Sequence, residues 1–333
     1  MTPNLCTTEH TSSTALQSAE DVVRMRRRVA RFRRAGLFSG CGSEVTIQRA
    51  SDASLLRQAY ALVHDVFVNQ GFISSHPSHV RLRTYEALPE MATFVATVDG
   101  HVVAVTSVVP DSSDLGLPSD QAFNGELDIL RAEGRRLCEI TNLAVNPAYR
   151  NTPIFFELTR CCLAHATLTG HTDMFIAISP EHARFFEEVL LFDHVGDERE
   201  YEPGTEDIVE GKRLNLVGLQ QRAKARDLIL AEEHILNNFF YVQNPYHALV
   251  AGWDMQARSF FFEPSLLVEL FAETGFLGEC SLDAMESIGS RWGKERLAEV
   301  RRGARRVVIP MPKVGQAHAN QPQIQPRRRA KSA

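Results

Sequence analysis

Glu139 sits inside an apolar run, Leu137-Cys138-Glu139-Ile140-Thr141-Asn142-Leu143-Ala144-Val145, that closes at Pro147. Val, Ile and Leu bury well on a pleated strand, and proline has no N–H to give a ladder. The run is therefore predicted to be a buried strand. Side chains alternate along a strand, so Leu137, Glu139, Thr141, Leu143 and Val145 share one face unless a bulge shifts the register. A carboxylate in mid-strand costs free energy to desolvate unless something pairs with it. Either Arg135, Arg136 or a neighbouring strand pairs with Glu139, or Glu139 does chemistry. The chemistry open to it is general base catalysis. A carboxylate within reach of a proton, directly or through one water, typically contributes roughly 10²–10⁴-fold.

Other reactive side chains point to less. His76 and His79 are three apart in a loop with Pro77, and no matching third ligand is evident, so no metal site is expected. The six cysteines show neither zinc spacing nor a disulfide framework. Cys138, Cys161 and Cys162 lie in apolar segments and are expected in the core. No secretory leader and no run of 18 apolar residues is evident. A cytoplasmic location is expected.

The net charge of -5, from 36 Lys and Arg against 41 Asp and Glu, argues against whole-protein nucleic-acid binding. Charge is uneven, however. Seven arginines lie between Arg24 and Arg34, and Arg327, Arg328, Arg329 and Lys331 close the chain. Such runs are either solvated arms or docking surfaces for an acidic partner.

The elements that must position Glu139 follow from period and punctuation. Residues 1–43 are rich in Ser, Thr and Arg and read as a weakly ordered basic arm, with a helix from Val22 to Arg34. Val45-Thr46-Ile47 begins a strand, and Asp52 caps a helix with apolar positions from Leu55 to Phe67. Ala92–Val98 and Val102–Val109 are strands joined by Asp99-Gly100, a hairpin signal. Ser119 caps a helix from Gln121 to Ala132, which stops at Gly134. After the Glu139 strand come a helix from Ile154 to Leu168, a strand Asp173–Ser179, and a helix opened by Ser179-Pro180. Strands near His194–Tyr201 and Arg213–Leu219 close the sheet. Ala223–Phe240, Pro264–Phe276 and Leu282–Arg301 are expected as helices. The fold class is thus α+β: a mixed twisted sheet with helices on both faces over 44–220, a helical region over 221–312, and a disordered basic tail over 313–333.

This order resembles the GCN5-related N-acyltransferase fold. The runs Gly116-Leu117-Pro118-Ser119-Asp120, Glu126-Leu127-Asp128-Ile129-Leu130-Arg131, Arg135-Arg136-Leu137-Cys138-Glu139 and Leu143-Ala144-Val145 look like those of the long-chain N-acyl amino acid synthases. That family is related to the acyl-homoserine-lactone synthases. Thr172-Asp173 through Ser179-Pro180-Glu181-His182, with Phe185, Phe186 and Phe192, resembles it too. The likeness covers about residues 44–220.

The resemblance implies transfer of a long acyl chain from an acyl carrier protein thioester to the amine of a free amino acid. No cofactor would be bound permanently; the donor brings its own 4′-phosphopantetheine. Glu139 matches the position of a catalytic glutamate. The related synthases continue Glu-x-Ser-Arg, and here Glu139-Ile140-Thr141-Asn142 keeps the hydroxyl and loses the charge. The N–H of Leu143 or Val145, freed by a bulge, would hold the oxyanion. Coenzyme-A-dependent relatives carry glycines in the next loop, where backbone N–H groups approach a pyrophosphate. Ala148-Tyr149-Arg150-Asn151-Thr152-Pro153 has none, which suits a donor with one phosphodiester that Arg150 would pair. Asn151 and Ser179 are counted with it as substrate-binding positions. Asp111 and Glu126 match positions beside the cleft, where either would bind the ammonium or simply cap and solvate. Phe186 replaces a tyrosine that protonates the departing thiolate in many relatives; with a thiol pKa near about 8.5, that group leaves without an acid. Phe239, Phe240, Tyr241, Phe260, Phe261 and Phe262 either cover an acyl chain or form a helical core. Three alternatives stay open: a coenzyme A donor, a homoserine lactone synthase, and a non-catalytic regulator that binds acyl chains or carrier protein. A lipid-like product would also bring peripheral membrane contact.

Overall fold

The structure is a computed structural model that describes residues 18–202, 207–230, 235–261 and 263–304. The tail expected over 313–333 lies outside the described residues, as do Cys6 and Phe262. Seven strands form one sheet: β1 Val45–Arg49, β2 Ala92–Val98, β3 His101–Pro110, β4 Leu137–Val145, β5 Asp173–Ile178, β6 Asp193–Glu200 and β7 Ile208–Asn215. Their spatial order is β1-β2-β3-β4-β5-β7-β6. All neighbours are antiparallel except β4 and β5.

That one parallel pair makes the site. β4 and β5 pair only through Leu137↔Asp173, Cys138↔Met174 and Glu139↔Phe175. Beyond Glu139, β4 stays with β3, and β5 stays with β7 out to Ile178. The two strands therefore part, and Glu139 stands at the apex of the opening.

The other elements form for the reasons the residues give. At the β2–β3 hairpin, Asp99 (φ 50) and Gly100 (φ 77) are both left-handed, as the two-residue turn requires. The Asp52 carboxylate accepts the Leu55 N–H at 2.9 Å and starts α2, Ala53–Gln70. Further helices are α3 Asp120–Ala132, α4 Ile154–Leu168, α5 Pro180–Glu188 and α6 Leu219–Leu230. Phe94 and Ala96 of β2 face one core while Val95 faces another. Both faces are covered, which is why these strands read as unbroken apolar runs.

Several expectations need correction. The N-terminal arm is a packed helix over α1, Ala19–Arg34: Met25 and Val29 are fully buried, and Phe32 packs against Phe156 and Phe185. Met25, Val29 and Phe32 are spaced for one helical face, a period that the surrounding arginines disguise. The last strand is β7, not Arg213–Leu219. Leu216 and Leu219 look like strand positions, but Gly218 (φ 71) turns the chain and Leu219 opens α6. The expected C-terminal helices are interrupted. The last divides at Gly293 (φ 84) into Leu282–Trp292 and Lys294–Ala304. Pro264–Phe276 passes into a wider π-type turn at Val268–Ala272. The described C-terminal helices share the cores of the sheet. Phe239 and Val250 join the α4 side, and Leu270, Ile288 and Trp292 join the α2 side.

Candidate active site

Glu139 is 2% exposed. Both its oxygens are held by Ser119, whose N–H and hydroxyl each donate at 2.9 Å. Burial pushes its pKa up to about 7, against the pull of the Ser119 hydrogen bonds and the Arg83 charge. The partners proposed from sequence hold other groups: Arg135 pairs with Asp173, and Arg136 donates to the Thr169 carbonyl. Ser119 does not cap α3 with its side chain; the hydroxyl is turned to Glu139 instead. Tyr201 lines the same cavity as Glu139, and burial pushes its phenol up to about 12.

Two residues further on, β4 bulges. Val105 faces Ala144 and Ser107 faces Thr141, so Asn142 and Leu143 stand opposite Thr106 alone. Asn142 takes φ 54 there, a left-handed conformation that asparagine tolerates better than most residues. A bulge interrupts the one-for-one ladder, which is how a strand N–H becomes available to a ligand. The Asn142 side chain is buried. Its Oδ1 accepts from Arg81 at 3.0 Å and Arg83 at 3.3 Å, and its Nδ2 donates to Glu86 at 2.9 Å. Arg83 also reaches Thr141 Oγ1 at 3.2 Å and Glu86 at 2.9 Å. The charge absent at position 142 is therefore present at the same place, supplied by the segment before β2.

A cavity of about 610 Å³ opens at the fork of β4 and β5. Of the residues singled out from sequence, Glu139, Thr141, Asn142, Leu143, Val145, Arg150, Asn151, Ser179 and Phe186 all line it. Ser179 makes no side-chain cap bond and lines the cavity. Arg150 and Asn151 are exposed on one rim. Phe155, Phe156, Phe185 and Phe186 make an aromatic wall, completed by Phe32 of α1 and by Leu37. On the other side of the fork stand Phe67, Phe72, Arg81, Arg83, Tyr201 and Asp207. The sequence reading missed Arg81, Arg83, Glu86, Tyr201 and Phe32. Arg81-Leu82-Arg83 with Glu86 three residues later was the available signal.

Asp111 and Glu126 do not line the cavity. Asp111 takes a bidentate pair from Arg131 at 2.7 and 2.9 Å, and Glu126 pairs with Arg199 at 2.7 Å. Asp111 thereby helps fix the loop that presents Ser119. Arg131 also holds Asp120 at 2.7 Å, and Asp120 accepts the Leu117 N–H at 2.6 Å. Phe239, Phe240 and Tyr241 pack in the core instead of lining this cavity.

Among the described residues, two groups bring three ligand-type atoms together: His64, Asp65 and His79, and Glu187, His194 and Glu210. The second already holds the Lys212 ammonium, 2.6 Å from Glu187 and 2.9 Å from His194. In the first, His64 Nε2 accepts the His76 N–H at 3.0 Å. His76 itself bonds to Ser78 and Glu279.

A seven-stranded mixed sheet forked at one parallel pair, with a strand bulge and a buried glutamate at the fork, is the α+β architecture expected from the sequence. The chain is an N-acyltransferase enzyme. Residues 58–209 match the model of the family described as N-acyl amino acid synthase FeeM, which bears out the resemblance drawn from sequence. Among solved structures, FeeM itself, an N-acyl amino acid synthase from uncultured soil microbes, is 21% identical. That match covers 53% of this chain and 93% of that one, with a TM-score of 0.47. The acyl-homoserine-lactone synthase LasI is 16% identical over 52% of this chain and 89% of its own, with a TM-score of 0.39. BjaI, a coenzyme-A-dependent acyl-homoserine-lactone synthase, is 15% identical over 58% and 91%, with a TM-score of 0.39. Comparison with curated proteins gives no match.

Proposed function

We propose that the protein moves a long acyl chain from an acyl carrier protein thioester to the amine of a free amino acid. One observation carries the reading. A buried glutamate tuned towards neutrality, a strand bulge and an aromatic wall share a single cavity.

Glu139 takes a proton from the acceptor's ammonium, directly or through a water. The freed amine attacks the thioester carbonyl. An N–H at or just after the bulge, from Leu143 or Val145, donates a hydrogen bond to the oxyanion, and a pre-set donor of this kind is worth roughly 10²–10³-fold. The C–S bond breaks, the amide remains, and the thiolate picks up a proton. The acyl chain lies along Phe155, Phe156, Phe185 and Phe186, whose burial of apolar surface holds it.

The carrier-protein donor rests on two features. The rim loop from Ala148 to Pro153 has no glycine to cradle a pyrophosphate, and Arg150 is free on the surface for one phosphodiester. Arg26, Arg27, Arg31, Arg33 and Arg34 are exposed on α1, whose Phe32 lines the cavity, so an acidic carrier would meet positive charge there. No described helix is long and apolar enough to cross a membrane, and the five described cysteines are free thiols. Both suit a cytoplasmic reaction, with membrane contact only through the product.

The test is mass spectrometry of the purified protein mixed with palmitoyl acyl carrier protein and a pool of the standard amino acids. One new mass matching an N-palmitoyl amino acid supports donor, reaction and acceptor together. Product only from palmitoyl coenzyme A overturns the donor. Acyl binding without product from either donor overturns catalysis.

A further inference from the structure

Opposite the aromatic wall, the cavity has a charged end that the reaction just described leaves unused. Arg81 and Arg83 both face it. Arg83 Nε is buried without a hydrogen-bond partner, a costly state for a charged donor unless something arrives to accept from it. Glu86 is the carboxylate already paired with these arginines; although burial opposes it, Arg83 and Arg81 hold Glu86 below the usual carboxylate range. Of the other acids on this lining, burial pushes Glu139 and Asp207 upward, towards their neutral forms, and Glu181 is exposed. Two guanidiniums thus stand beside one buried, ionised carboxylate at this end of the cavity.

The spacing selects the anion. Arg83 touches Thr141, two residues along β4 from Glu139. Two residues of strand span about 7 Å. An α-amino acid whose ammonium bonds to Glu139 and whose carboxylate bonds to an arginine needs about 8 Å, from two hydrogen bonds and the short link between its ends. The donor's phosphate is not the candidate, because Arg150 and Asn151 stand on the rim at the start of α4.

We propose that Arg81 and Arg83 form the subsite that recognises the α-carboxylate of the acceptor amino acid. This rests on the acyl-transfer reading above. The arginines fix the acceptor so that its ammonium meets Glu139, and they discriminate against amines without a neighbouring carboxylate. Arg81 lies over the Phe67 ring at 5.1 Å, so the acceptor's side chain would meet Phe67 and Phe72.

The experiment uses the full chain. N-decanoyl derivatives of the standard amino acids and their methyl esters, which mimic product with and without the carboxylate, are titrated one by one by calorimetry. Wild type should prefer free acid over ester by roughly 10–100-fold, the range for hydrogen bonds to a charged group. Arg81→Gln should abolish the preference, so that acid and ester bind alike. Arg83→Lys, which keeps a charge beside Glu86 but loses the fork, should reduce it. Equal binding of acid and ester by wild type, or a preference that survives both substitutions, overturns the subsite. Carboxylate preference without acyl transfer sinks the function proposed above and leaves the subsite standing. Transfer without the preference sinks the subsite alone.

Discussion

Ser119 holds both carboxylate oxygens of Glu139, its N–H donating to Oε2 at 2.9 Å and its hydroxyl to Oε1 at 2.9 Å. One residue thus opposes the burial that drives Glu139 towards its neutral form. The outcome, a pKa pushed up to about 7, suits a general base that must take a proton near neutrality and give it up again.

Acyl transfer should therefore rise with pH through about 7, as Glu139 ionises. Glu139→Gln should remove this limb and lower kcat by roughly 10²–10⁴-fold. Ser119→Ala removes a hydrogen bond that favours the ionised form, so the limb should move to higher pH. A pH–rate profile of the three proteins decides; an unmoved limb in Ser119→Ala disproves the assignment.

Glu139 also couples stability to pH. The folded protein binds this proton more tightly than the unfolded chain, whose glutamate titrates near 4.5. Stability is therefore lost as pH rises from about 4.5 to about 7, by an amount on the order of 3 kcal/mol. Glu139→Gln has no such proton to lose. Urea melts at pH 5 and pH 8 should show the variant gaining on wild type at the higher pH.

Arg131 reaches Glu139 only through others. It holds Asp111 and Asp120, and Asp120 adjoins Ser119. Arg131→Met should lower kcat several-fold and shift the acidic limb as Ser119→Ala does, with little change in KM for the acceptor. A fall in activity with an unmoved limb would mean that Arg131 acts on stability alone.

Asn142 cannot take back an arginine. It is 2% exposed, left-handed, and already faces Arg81 and Arg83. Asn142→Arg would bury a third cation without a partner and should cost roughly 3–5 kcal/mol of stability, readable as a lowered Tm.

Phe32 brings the N-terminal helix into the cavity wall. Truncation at this position enlarges the apolar end. Phe32→Ala should shift the acyl preference towards longer chains, measured by product masses from a mixture of acyl donors of graded length. An unchanged length distribution would remove α1 from the acyl site.

Local signals carried much of this. The Asp99-Gly100 turn, the Asp52 cap, the β4 run and the Ile154–Leu168 helix were legible because each depends on neighbours in sequence. Nine of the singled-out site residues meet in one cavity for the same reason: they cluster around one strand, one loop and α5 with its N-cap. For Asp111 and Glu126 two roles stayed open, because a carboxylate's place in sequence does not reveal the distant arginine that holds it.

By itself the sequence determined that a carboxylate would be buried in mid-strand, since alternation and apolar neighbours leave it no other place. Only the tertiary structure decided what surrounds that carboxylate. Ser119, 20 residues away, turns its hydroxyl from the helix it was expected to cap. Arg81 and Arg83 bring the charge that Asn142 lacks from about 60 residues away. A helix written in arginines closes the cavity with Phe32. Periodicity along a chain specifies which face is buried; which side chains then meet depends on packing between elements far apart in sequence, where no local spacing rule applies.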